Sequence, residues 1–158
     1  MLCALRCSPT RREPSMSDDL FTPTVRERPV SGKRPWRPES IFYAAFFGGP
    51  LTAGVLGVIN GRRLGLPASK NLLIALAAVA GFGGWILAAS LAEANNVVRL
   101  AGSITGSLAW LAVIAFQRRP FRAFEYADGV PSRLLLPGLL TAIALAFLQA
   151  AIILVVTR

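Results

Sequence analysis

Histidine is absent from this chain of 158 residues, and its two cysteines, Cys3 and Cys7, both lie within the first seven positions. Imidazole metal sites, haem ligation through histidine and Ser-His or Cys-His nucleophilic chemistry therefore cannot be built. A disulfide framework is excluded as well, because a single Cys-x-x-x-Cys pair at a terminus staples nothing. Charge is also scarce. Charged residues are 16% of the chain and hydrophobic residues 54%, with a mean hydropathy of +0.54; a soluble domain carries about 25% charged residues. No cofactor is called for by any motif.

The apolar residues are gathered into four runs, Ile41–Ile59, Leu72–Ala92, Leu100–Phe116 and Leu134–Val156, none of which contains Lys, Arg, Asp or Glu. About 17–25 apolar residues are needed to cross the hydrocarbon layer as a helix. Backbone groups in lipid must be paired within the structure, so each run reads as a transmembrane helix. The short alternating strands of a membrane β-barrel are not visible. Connections are short, short and moderate: Asn60–Pro67, Glu93–Asn96 and Gln117–Arg133. The expected fold is all-α, a polytopic four-helix antiparallel transmembrane bundle. Ser69 and Ser132 are expected to cap the second and fourth helices, and Gln117-Arg118-Arg119-Pro120 to end the third.

Residues 1–40 hold six prolines and eight of the seventeen basic residues. They read as a disordered basic tail, with too little apolar surface to offset the entropy of ordering. Within it, Met16 opens an ordinary N-terminus, and residues 1–15 read as a mis-assigned start. Trp36 is expected at headgroup depth, where an indole is favoured. The net charge of +9 has no nucleic-acid motif beside it. Attraction to anionic lipid headgroups, about 1 kcal/mol per basic residue near the surface, accounts for it more simply. The expected partners are thus the lipid bilayer, and a second copy or a membrane-protein partner; nucleic acid is not expected.

Small residues recur at helical spacing in all four runs: Gly49, Ala53, Gly57 and Gly61; Ala77 and Gly81 beside Ala80, Gly84 and Ala88; Gly102 and Gly106; Gly138, Ala142, Ala146 and Ala150. In a bilayer such faces permit close backbone approach. The Arg-Arg pairs at 62–63 and 118–119, each followed by proline, hint at two similar hairpins; helix ends at a membrane surface collecting Arg and Pro is the simpler reading. Gly48-Gly49-Pro50 is the most distinctive local feature, since a mid-helix proline removes a backbone bond and two glycines ease bending. It reads as a static kink packed on a neighbour rather than a hinge. The pattern Gly48-Gly49-Pro50-Leu51-Thr52-Ala53-Gly54 followed by Asn60-Gly61-Arg62-Arg63-Leu64-Gly65 resembles the first hairpin of small multi-pass bacterial membrane proteins of uncharacterised function. The resemblance covers about twenty residues and implies a fold and a compartment, the inner (cytoplasmic) membrane, but no reaction.

Candidate polar contacts are few. Glu93 and Arg99 face each other across the second connection and read as an interfacial pair. Gln149, the deepest strongly polar side chain, reads as a hydrogen-bonding contact to a neighbouring helix. The chain is similar in size to the small four-helix multidrug exporters, but those depend on a glutamate in the first helix, which is lacking here. With no nucleophile–base pair, no catalytic residue is assigned. The expected role is a non-enzymatic accessory or structural membrane component; the alternative is a small transporter or channel subunit with the Gly48-Gly49-Pro50 break and Gln149 lining a path.

Orientation is open at this level. In a four-span arrangement, counting from Met16, seven basic residues fall on each side. Both termini are expected in the cytoplasm, because a basic tail is hard to translocate. If the first segment only dips into the bilayer, twelve basic residues share one side against two; its 19-residue length argues for spanning.

Overall fold

The computed structural model describes residues 33–91 and 95–156. Residues 1–32, with the expected start at Met16, and Glu93 lie outside this range. The described residues form an all-α molecule: a 3₁₀ turn Pro38–Ser40, then α1 Ile41–Arg63, α2 Ala68–Leu91, α3 Asn95–Tyr126 and α4 Leu135–Val156. Each long helix is apolar and long enough to cross a membrane. The surface matches that solvent: Leu72, Leu76, Val79, Leu108, Leu139 and Phe147 are among the large apolar side chains left exposed on the outer faces.

α1 does not run straight. Gly49 interrupts it with φ 76° and ψ −176°, a region open essentially to glycine alone. The chain reverses there. Trp36 N–H donates to Asn60 Oδ1 at 2.7 Å, and Asn60 Nδ2 donates back to the Trp36 carbonyl at 3.1 Å. Were α1 straight, Ile41 and Asn60 would stand about 28 Å apart. The five residues from 36 to 41 reach at most about 18 Å. The contact is possible only if residues 41–48 and 50–63 form two arms folded against each other.

The packing against α3 gives the same answer. Along the first arm the partners on α3 descend: Trp110 with Pro38 and Phe42, then Ser103 with Phe46. Along the second arm they ascend, from Gly106 beside Gly49 to Val113 beside Gly57 and Gln117 beside Asn60. Ala45 and Ala53, four residues either side of Gly49, share one buried cluster with Ala109. Ile41 and Leu56 share another with Ile74 and Val113. A bend at Gly48-Gly49-Pro50 is as expected; its size is not.

The doubled α1 is the centre of the molecule. α2 runs antiparallel to the second arm, with Gly54 against Ala78, Gly57 against Ile74 and Gly61 against Asn71. α3 returns antiparallel to α2, Trp85 lying on Gly102. α4 packs on α1 and only marginally on α2. Gly49, Ala53, Gly57 and Gly61 are all buried, as a small-residue face requires. On α2 the buried face is Asn71, Ile74, Ala78 and Ala89; Gly84 sits at the edge of the α3 contact, where a Cβ would stand 4.0 Å from Thr105, while Ala80 points outward, as does Ala150 on α4. Those two members of the expected rows are not internal contacts.

Several boundaries differ from expectation. α3 continues through Gln117-Arg118-Arg119-Pro120 to Tyr126. Phe121, 3% exposed, packs with Leu64 and Leu66 and holds the helix beyond the proline. Phe121 is therefore part of the core. Leu66 N–H bonding to Gly61 O and Gly65 N–H to Arg62 O, with Gly65 at φ 66°, close α1 in a Schellman turn before Pro67. α3 ends the same way, with Asp128 at φ 57° in the left-handed position. Ser69 lies inside α2, and the Ser132 hydroxyl donates to the Arg34 carbonyl instead of capping α4. The two Arg-Arg pairs are not equivalent, one ending α1 and the other lying inside α3.

Trp36 corrects the reading of the tail. Residues 33–40 are tied to the bundle: Trp36 is 5% exposed, pairs with Asn60, bridges to Ser132 and carries the Arg63 guanidinium 3.8 Å from its ring centroid. An indole with satisfied backbone groups and a cation on its face is stable in the core.

Candidate functional site

Reversing a helix inside an apolar layer creates an electrostatic problem. The last carbonyls of the first arm and the first N–H groups of the second lose their helical partners, and lipid offers none. Three features meet this cost at the apex. Pro50, at the start of the second arm, has no N–H to satisfy. The Thr52 hydroxyl donates to the Gly48 carbonyl at 2.6 Å, and the Ser103 hydroxyl donates to the Phe46 carbonyl at 3.2 Å. The third is Gln149 of α4. Its Nε2 donates to the Gly48 carbonyl at 2.6 Å and to the Leu145 carbonyl at 3.0 Å, while its Oε1 accepts from Leu51 N–H at 3.3 Å. One carboxamide thus serves an orphan acceptor and an orphan donor across the break.

The apex is also sterically closed. A Cβ on Gly49 would stand 3.0 Å from Gln149 Oε1 and 3.0 Å from the Trp85 ring. Trp85 is fixed by its indole N–H, which donates to the Val98 carbonyl at 2.8 Å. Gly106 brings α3 against the Ala45 carbonyl, leaving no room there for a side chain. Gln149, Thr52 and Pro50 are all fully buried.

A second polar cluster fastens the base of the hairpin. Asn60 Nδ2 donates to Gln117 Oε1 at 2.7 Å, and Gln117 Nε2 donates to the Gly57 carbonyl at 2.5 Å. Both amides are fully buried. Nearby, Asn71 Nδ2 donates to the Leu66 carbonyl at 3.3 Å while its buried Oδ1 has no hydrogen-bond partner among the described residues.

The predicted residues thus divide. Gly48, Gly49, Pro50 and Gln149 come together at the apex. Arg99 is exposed near the start of α3, away from it, and its expected partner Glu93 is among the residues not described. The Asn60–Gln117–Trp36 cluster was not anticipated, because Asn60 and Gln117 border apolar runs and read as helix ends. The signal was available: Gly102, Gly106, Ala109, Val113, Gln117 and Phe121 continue one buried helical face of α3 past Phe116. Among the described residues no group of His, Cys, Asp or Glu is placed to hold a metal ion. No protein-family model matches the chain, and neither a curated protein nor a solved structure shows significant similarity to it.

Proposed function

We propose that the chain is a multi-pass protein of the bacterial inner (cytoplasmic) membrane with a non-enzymatic, accessory or structural role. Its first apolar segment is a re-entrant hairpin, so the bilayer is crossed three times, by α2, α3 and α4. The base of the hairpin, the 64–67 connection and the 127–134 connection share the cytoplasmic side with the basic tail, and the C-terminus lies opposite. The charge distribution supports this arrangement: from Met16, twelve basic residues fall on the hairpin-base side and only Arg99 and Arg158 on the other. It replaces the expectation of two cytoplasmic termini, which needs four crossings.

The observation that carries the accessory reading is the state of Gln149. A transport path would need this amide, or the Pro50 break, to face an aqueous lumen. Instead the amide is fully buried and both its polar atoms are spent on helix backbone. Small residues on α2, Ala80 and Gly83, remain uncovered and suit close approach by a second copy or a membrane-protein partner. Gentle detergent extraction is expected to recover the chain with one of these, and reconstituted vesicles to leak no more ion or solute than empty ones. A specific flux abolished by Gln149→Ala would overturn the reading.

A further inference from the structure

α4 and the first arm of α1 are held together at two levels. At the base the segments leading into the two helices meet, Trp36 bridging to Ser132. Near the apex a Cβ on Gly48 would lie 2.8 Å from the Ala142 backbone. Between and beside these points lies a groove of about 800 Å³. Its walls are apolar, with Tyr43, Phe47, Leu139, Ile143 and Ala146 among them, and its floor is kept low by Ala44 and Gly138. Its mouth carries Arg37 and Arg133 beside Ser40 and Ser132. From Leu135 to Ala146 it extends about 17 Å along α4. The hydrocarbon of one leaflet is about 15 Å deep, half of the whole core.

Resting on the membrane reading above, we infer that this groove binds an anionic phospholipid of the leaflet at the hairpin base. One acyl chain lies between the first arm and α4, and the phosphate sits between Arg37 and Arg133. The charges select this occupant. Arg133 has no ion pair among the described residues, and Arg37 has only Glu125 at 3.9 Å, with both side chains exposed; such a pair leaves the guanidinium available. A helix of a second copy seated in the groove would cover both arginines with an apolar face, and the apolar runs carry no carboxylate to pair them, a costly burial. A phosphodiester with an acyl chain answers both halves of the site.

The test uses the full-length protein in mild detergent, examined by native mass spectrometry with phosphatidylglycerol or phosphatidylcholine of matched chains. Phosphatidylglycerol is expected to be retained about tenfold or more over phosphatidylcholine. Arg37→Gln with Arg133→Gln should reduce it to the phosphatidylcholine level, and Ala146→Phe should reduce retention of both lipids. Melting temperatures in detergent alone should match the parent protein for these variants; Arg133→Gln alone, with an intermediate loss, serves if the double variant does not fold. Equal retention of the two lipids, no change in the arginine variants, displacement by millimolar inorganic phosphate, or a lipid-free dimer broken by Ala146→Phe would each overturn the assignment. A chain that stays in solution without detergent after ultracentrifugation would instead overturn the membrane reading itself.

Discussion

Gly49 and Gln149 define the molecule at the scale of single residues. Gly49 adopts a backbone conformation that a side chain strains by about 1–3 kcal/mol, and its Cβ position is occupied by Gln149 and Trp85. Gly49→Ala is therefore expected to lower stability by at least that amount, seen as a fall in melting temperature in detergent, whereas Gly83→Ala, with open space around its Cβ position, should be neutral or stabilising. If the two substitutions behave alike, the reversal at Gly49 is not what the fold depends on. Gln149→Leu keeps roughly the same volume and leaves Leu51 N–H without its acceptor, while Gly48 O keeps only the Thr52 hydroxyl. A cost of about 1–3 kcal/mol is expected for the N–H left unpaired, with membrane hydrogen bonds at the lower end of such values. Hydrogen exchange localised to residues 49–52 would check it; unaltered protection there would count against the clamp. Both residues were legible from composition alone, Gly49 from the Gly-Gly-Pro break and Gln149 as the deepest strongly polar side chain in an apolar run. Their meeting was not, since it joins residues 100 positions apart.

The helices themselves show where a local reading succeeds and where tertiary contact overrides it. Each apolar run is helical, because length and polarity fix a membrane segment with little help from context; the first run is broken at Gly49 into two arms. Ends are harder. α1 runs to Arg63, four residues past the expected end at Ile59, and Gly65 and Pro67 close it through a turn made from local backbone bonds. Pro120 gives the opposite lesson: a local stop signal is overridden by the burial of Phe121 on Leu64 and Leu66. Phe121→Ala is expected to cost about 3–5 kcal/mol if the cavity does not collapse, and to fray α3 from Pro120 onward. Amide exchange over residues 121–126 measures this. Protection that persists in the variant would mean that the helix continues through the proline on backbone bonding alone. Asn60 and Gln117 escaped notice for a related reason. At the edge of an apolar run an amide looks like a surface residue, and only the folded-back first arm brings Trp36 down to enclose it.

For the whole molecule, the issue is how many times the chain crosses the bilayer. A 19-residue apolar run has the length to span, and nothing local distinguishes a kink from a reversal; what decides is the contact of residue 36 with residue 60. The basic residues fit the proposed three-crossing arrangement. Their even split in a four-span arrangement becomes twelve against two once the first segment dips and returns. Cysteine accessibility or paired reporter fusions at the N-terminus, within the 64–67 connection and after Arg158 would measure this directly in intact cells. The hairpin account predicts a cytoplasmic signal at the N-terminus and at 64–67, and a signal from the opposite face at the C-terminus. An external signal at 64–67 together with cytoplasmic signals at both ends would contradict it.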